Sequence, residues 1–86
     1  MKSVELFRSA LRSKWKKNST AATVLGVSDA MISDVLAGRR RISPWLALQV
    51  ELALVAPGLA LDMLHAQSED DLLELAFEVK PGADGT

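Results

Sequence analysis

Residues 18–38, NSTAATVLGVSDAMISDVLAG, restrict the fold more tightly than any other stretch of this chain. Two short helices joined by a tight turn pack closely only when small and apolar residues fall at fixed offsets. Counting Asn18 as position one, alanine stands at five (Ala22) and glycine at nine (Gly26). Positions eight, ten, fifteen and eighteen are Leu25, Val27, Ile32 and Val35, all apolar. An alanine lets the second helix approach the first, a glycine permits the sharp turn, and the four apolar positions seat both helices on a core. The pattern predicts a helix over about 19–25, ended by Gly26, and a second over 29–37. Ser28 is the expected N-cap of the second helix and Gly38 its end, with inward positions at Met31 or Ile32, Val35 and Leu36.

The flanks extend the same helical reading. Residues 3–13 place Val4, Phe7, Leu11 and Ala10 on one face, with Ser3 as the expected N-cap and Arg8 and Arg12 one turn apart on another face. The basic connection KWKKNST follows, carrying Trp15. Ser43-Pro44, serine at N-cap and proline at N1, opens a helix expected to run to about Val55 over Leu46, Val50 and Leu54. Pro57-Gly58 breaks the chain. One further helix is expected over 59–67, burying Leu61 and Leu64 or Leu59 and Met63, and another over 69–77 bearing Leu72, Leu73 and Ala76. LAFEVK also alternates Leu75, Phe77 and Val79 against Ala76, Glu78 and Lys80, so a short C-terminal strand competes with that last helix. The fold class is all-α, five or six short helices. Residues 1–56 form the core, 57–79 a helical segment of the same compact domain, and 80–86 a disordered tail.

At 86 residues, a chain buries only roughly 60% of the surface its unfolded form exposes, and 49% hydrophobic content leaves material for a subunit interface. Net charge is −1, but the average hides a division. Residues 1–42 hold nine Lys or Arg against three acids, a net of +6, whereas residues 43–86 hold one Lys against eight acids, a net of −7. A basic half suggests a face for a polyanion, with the acidic half held away from it. There is no cysteine, which excludes disulfides, thiolate metal sites and a cysteine nucleophile. The only histidine, His65, has no companion at a metal spacing and reads as a surface or packing residue. Trp15 and Trp45 read as locks of a small core, Trp45 especially, rather than as platforms for bases. Glu69, Asp70, Asp71 and Glu74 could bind a cation, but such a cluster reads as a solvated helix face. No nucleophile–base pair, phosphate loop or zinc pattern exists, so no catalytic residue, metal or cofactor is expected. Charged residues Lys2, Glu5 and Arg8 argue against a signal peptide, and the longest apolar stretch, about 52–61, falls short of the ~20 residues a membrane span needs. A soluble, cytoplasmic protein is expected.

The six matched positions fit a helix-turn-helix that reads DNA. At this point LGVSDAMISDVLAGRRRISPWLALQVE resembles the Xre/Cro-type regulators, the group of phage repressors and Cro proteins, over about residues 4–56. The resemblance implies a lambda-repressor-like core. Asn18 stands where the family usually has glutamine, opening the second helix beside a phosphate together with Ser19 and Thr20. Ser28, Asp29, Ala30, Ser33 and Asp34 fall on the exposed positions of the recognition helix, which the resemblance directs at base edges in the major groove. Arg39, Arg40 and Arg41 follow that helix, where flexible cations reach backbone phosphates; the alternative for such a run is a solvated loop. Asp29 and Asp34 face a polyanion, and three readings compete. One of them accepts from a cytosine N4 amino group, or Asp29 caps its helix, or the domain has lost DNA and serves protein contacts.

A single helix-turn-helix reads few base pairs, so a homodimer on a near-palindromic site in double-stranded DNA is expected, with the leucine-rich acidic segment 59–79 as the dimer contact. The function implied is a repressor of a phage, plasmid or mobile element. ALDMLHAQSEDDL is loosely similar to the last helices of HigA-type antitoxins, which implies as an alternative a self-regulating antitoxin binding a basic toxin protein. A protein-interaction adaptor without DNA reading is the third.

Overall fold

Helices form where the sequence supplies both a start and a stop. In the computed structural model, which describes residues 1–78, these are α1 (Lys2–Arg12), α2 (Asn18–Leu25), α3 (Asp29–Leu36), α4 (Pro44–Leu54) and α5 (Leu59–Glu78). The described residues are all-helical outside their connections. Ser28 and Ser43 each accept a hydrogen bond from the backbone N–H three residues on, Met31 and Leu46, both at 3.1 Å. Pro44 occupies the first turn of α4, where its missing N–H costs nothing. Gly26 ends α2 at φ 74°, and the Val27 N–H returns to the Ala22 carbonyl at 2.9 Å. This left-handed glycine makes the corner between α2 and α3.

Helix α5 packs most extensively, along both α1 and α4, while α2 lies against α3 and α4. Phe7, Leu11, Ile32, Leu46, Val50 and Met63 are fully buried where these helices meet. Ala21, Ala22 and Ala47 are buried too, and their small side chains set the close approach of α2 and α4. Trp15, just past α1, is buried in the same core. Among the described residues every buried side-chain nitrogen and oxygen has a hydrogen-bond partner. No described helix is long and apolar enough to cross a membrane.

Five expectations are corrected, and one is the solvated acid face at 69–74, since Asp70 is buried against the start of α1. The expected pair of helices over 59–67 and 69–77 is one helix of 20 residues. Its sequence holds neither Gly nor Pro and is rich in Leu, Ala and Glu, so nothing interrupts the hydrogen-bond ladder. The competing C-terminal strand is not formed over residues 75–78, which are helical; Val79, Lys80 and the expected tail 80–86 lie outside the described residues. Ser3 is not an N-cap, because α1 starts one residue earlier and Ser3 is buried in its first turn. Trp45 does not lock the core: it sits at the start of α4 with half its surface exposed. Leu46 and Ala47 take the inward positions of that turn instead.

Candidate nucleic-acid interface

Helix α3 divides cleanly between its two faces. Ile32 and Val35 are fully buried, whereas Ser28, Asp29, Ala30 and Ser33 are exposed. Ser28 is the N-cap, as its position predicts, so capping by Asp29, one of the three readings of that acid, is not what the structure has. Asp29 stands in the first turn, where its charge complements the helix dipole, and it has no hydrogen-bond partner among the described residues. Asp34 is placed differently. Its Oδ1 accepts from both Nε and Nη2 of Arg39, at 3.2 and 3.0 Å, and its backbone carbonyl accepts from the N–H groups of Arg39 and Arg40. The chain therefore folds back over the end of α3, and an arginine pairs with one of the two acids of that helix.

The three arginines after α3 are not equivalent. Arg39 is held by Asp34, and Arg41 donates to Asp71 of α5 at 2.7 Å. That hydrogen bond holds the Asp71 carboxyl below the usual carboxylate range and raises Arg41 above its own. Arg40 is exposed and has no acidic partner among the described residues. Next to this loop the backbone of Ile42 is gripped at both ends by Gln67, which accepts from its N–H at 2.7 Å and donates to its carbonyl at 2.9 Å. A cavity of about 240 Å³ lies between the loop and α5, with Arg39, Arg40 and Arg41 on one side and Gln67, Asp71 and Glu74 on the other.

The N-terminal end of α2 forms the second part of the site. Lys17 is its N-cap residue and supplies no side-chain cap. The N–H groups of Asn18, Ser19 and Thr20 thus open the helix without a capping partner, with exposed Lys16 and Lys17 beside them. The Asn18 Oδ1 accepts from Arg12 Nη2, and its amide N–H₂ has no acceptor among the described residues. The basic face of α1 ties both parts together: Arg12 reaches Asn18, and Arg8, one turn away, donates to the Leu36 carbonyl at the end of α3 at 3.1 Å.

All eleven residues singled out from the sequence thus lie in three segments joined by α1: Asn18, Ser19 and Thr20 opening α2; Ser28, Asp29, Ala30, Ser33 and Asp34 on α3; and Arg39, Arg40 and Arg41 after it. Sequence reading missed the bridging roles of Arg8 and Arg12, although their spacing on one face was visible. It also missed the hold of α5 on the arginine loop, because partners 25 to 30 residues away leave no local signal. Among the described residues no group of three or more His, Asp or Glu is placed to hold a metal ion. No protein-family model, curated protein or solved structure gives a significant match to the chain.

Proposed function

We propose that this chain is a sequence-specific DNA-binding transcriptional repressor of the Xre/Cro type, acting in the cytoplasm as a homodimer on a near-palindromic operator. The observation that carries the reading is the outward face of α3. It offers short polar side chains and one unpartnered acid, and cations flank it at both the α2 end and the 39–41 loop. In this reading α3 enters the major groove. Asp29, the one recognition-helix acid without a protein partner among the described residues, accepts from a cytosine N4 amino group. The uncapped N–H groups at Asn18, Ser19 and Thr20, with Lys16, Lys17 and Arg40, contact phosphates and set the register. Repression follows from occupancy of the operator, with no catalytic step and no cofactor.

Selection from a random DNA pool, followed by affinity measurements at two salt concentrations, tests this. A palindrome with half-sites about 34 Å apart, and an affinity falling steeply with salt, is the expected result. Failure to enrich any sequence, with binding no better than that of a charge-matched control protein, would overturn it and favour the adaptor reading. One observation favours a second reading, the antitoxin. Exposed Leu72, Leu73 and Leu75 sit among Glu69, Asp71 and Glu74 near the end of α5, an apolar and acidic surface suited to a basic partner protein.

A further inference from the structure

Helix α4, PWLALQVELAL, is apolar nearly all the way round, a composition that belongs to a helix covered on every side. Here only one side is covered. Leu46, Ala47 and Val50 are buried, and the opposite side leaves Trp45 51%, Leu48 44%, Leu52 61% and Val55 83% exposed. These four fall at helical spacing along one stripe. The one ionisable group of α4, Glu51, is turned away to accept from the Ala60 N–H at 2.9 Å. Val55 adds an independent sign of use. It ends α4 at φ 51°, a left-handed conformation that a β-branched residue adopts only under strain. Its left-handed backbone closes α4, with the Ala56 N–H returning to the Glu51 carbonyl at 3.1 Å, but the exposed isopropyl group finds no cover in an isolated copy.

We propose that this stripe is the self-association surface of the chain, on which α4 packs antiparallel against α4 of a second copy across a two-fold axis. The spacing is self-complementary: an axis midway between Leu48 and Leu52 sets Leu48 against the partner's Leu52 and Trp45 against the partner's Val55. Beside Leu52 and Val55 lies a shallow recess of about 160 Å³, lined also by Glu51, Ala56 and Pro57, and it offers a place for the indole edge at the border of the stripe. An isologous interface brings one patch against the same patch of the second copy, so a patch of one charge sign meets like charge, whereas a charge-free stripe can meet itself. The other exposed apolar group, Leu72, Leu73 and Leu75, cannot do so as well, since Glu69, Asp71 and Glu74 would meet their equivalents. The dimer contact thus moves from the acidic segment 59–79 to α4. The inference deepens the dimeric part of the proposed function, and it is tested without DNA, so a failure of DNA binding leaves it standing.

The experiment is sedimentation of the full chain over a range of concentrations, comparing the wild type with Leu52→Glu, Val55→Gly and Leu72→Glu. The expected result is a reversible dimer whose dissociation constant rises at least about tenfold in Leu52→Glu, the effect of losing a hot spot. Leu72→Glu should leave it unchanged. Val55→Gly relieves the strain, so it should weaken the dimer while its monomer melts no lower than the wild type. A wild type that stays monomeric, or a Leu52→Glu dimer as tight as the wild type, would overturn the proposal, as would a dimer abolished by Leu72→Glu. Orientation has its own readout in a chain without cysteine. Leu48→Cys mixed with Leu52→Cys should form a disulfide-linked dimer under oxidation far more readily than either alone; equal linkage of each variant with itself would refute the antiparallel pairing.

Discussion

Helices α2 and α3 are eight residues each, and α5 is twenty. Isolated helices of eight residues are unstable in water, so the short pair depends on what is adjacent in sequence. Ser28 caps α3, Gly26 turns the corner, and Ala21, Ala22, Ile32 and Val35 seat the pair on the core. Helix α5 is held from a distance. Asp70, in its middle, is buried against the start of α1, where it accepts from Ser3 Oγ at 2.6 Å and from the backbone N–H groups of Ser3 and Lys2 at 3.0 Å each. One carboxylate thus caps α1 from another helix. Gln67, one turn earlier, braces the loop that follows α3. The short pair keeps a polar outward face, whereas α5 turns Asp70 inward as a brace and leaves Asp62, Glu69 and Glu74 exposed.

The largest effects should come from cutting each region at its seat. Ile32→Ala removes a fully buried side chain from α3, and Met63→Ala does the same to α5. Each should cost about 2–5 kcal/mol. At roughly 4–8 °C per kcal/mol for a domain of this size, both should lower the thermal midpoint by about eight degrees or more. Hydrogen exchange separates them: the amides of α2 and α3 should lose protection first in Ile32→Ala, and those of α1 and α5 first in Met63→Ala. Identical exchange patterns would mean that the two regions open as one unit and that the contrast between them is only geometric.

Asp70→Asn comes next. The amide cannot accept at all three donors, so about 1.5–3 kcal/mol should be lost, the worth of hydrogen bonds to a charged group. The pH dependence carries a sign. Burial works to raise the Asp70 carboxyl, but the Ser3 hydroxyl, the two backbone N–H groups and the nearby N-terminal charge outweigh it and hold it below the usual carboxylate range. The folded state therefore binds that proton less readily than the unfolded state. Its contribution is complete above about pH 4, the unfolded value, and is lost as pH falls through the lower folded value. Urea midpoints measured from pH 6 downwards should fall below pH 4 in the wild type and lose much of that slope in Asp70→Asn.

The same contrast explains what could be read from residues alone. The corner at Gly26, the cap at Ser28 and the Ser43-Pro44 start are local chemistry, and the structure has them where their spacing put them. Period placed Val35 and Leu36 inward on α3 and left Met31 or Ile32 open, which the structure decides for Ile32. The acid run at 69–74 carried no such information, because a buried acceptor and a solvated acid look alike until the start of α1 is brought to them. Trp45 was misplaced for a related reason. A tryptophan beside a helix start is usually core, and only the packing of Leu46 and Ala47 inward turns it out. In the candidate interface the exposed residues were legible, but the pairing of Asp34 with Arg39 and of Arg41 with Asp71 depended on how the loop folds.

A smaller effect sharpens the local side of the comparison. Gly26→Ala meets no neighbouring atom, so its whole cost is the left-handed backbone, about 1–2 kcal/mol. Ser28→Ala removes the α3 cap and should cost about 1 kcal/mol. If stability in α2–α3 is local, both should loosen those helices in hydrogen exchange and leave α5 untouched.

The smallest change in stability is expected where the two regions touch, at Asp71→Asn. The Arg41–Asp71 pair is exposed, and exposed pairs contribute little to folding, so the thermal midpoint should hardly move. Its effect belongs to the proposed function. Paired with Asp71, Arg41 is withheld from phosphates; released, it adds one cation beside the recognition helix. The variant should bind non-operator DNA more tightly, with a salt dependence steeper by up to about one released ion per copy. Operator preference should narrow, because phosphate contacts strengthen binding to every sequence while Asp29 and its neighbours still read the same bases. Arg41→Ala should leave DNA affinity near that of the wild type if α5 keeps the arginine occupied. A large loss in that variant would instead mean that DNA already displaces Asp71, and that the acidic helix yields the loop at no cost to binding.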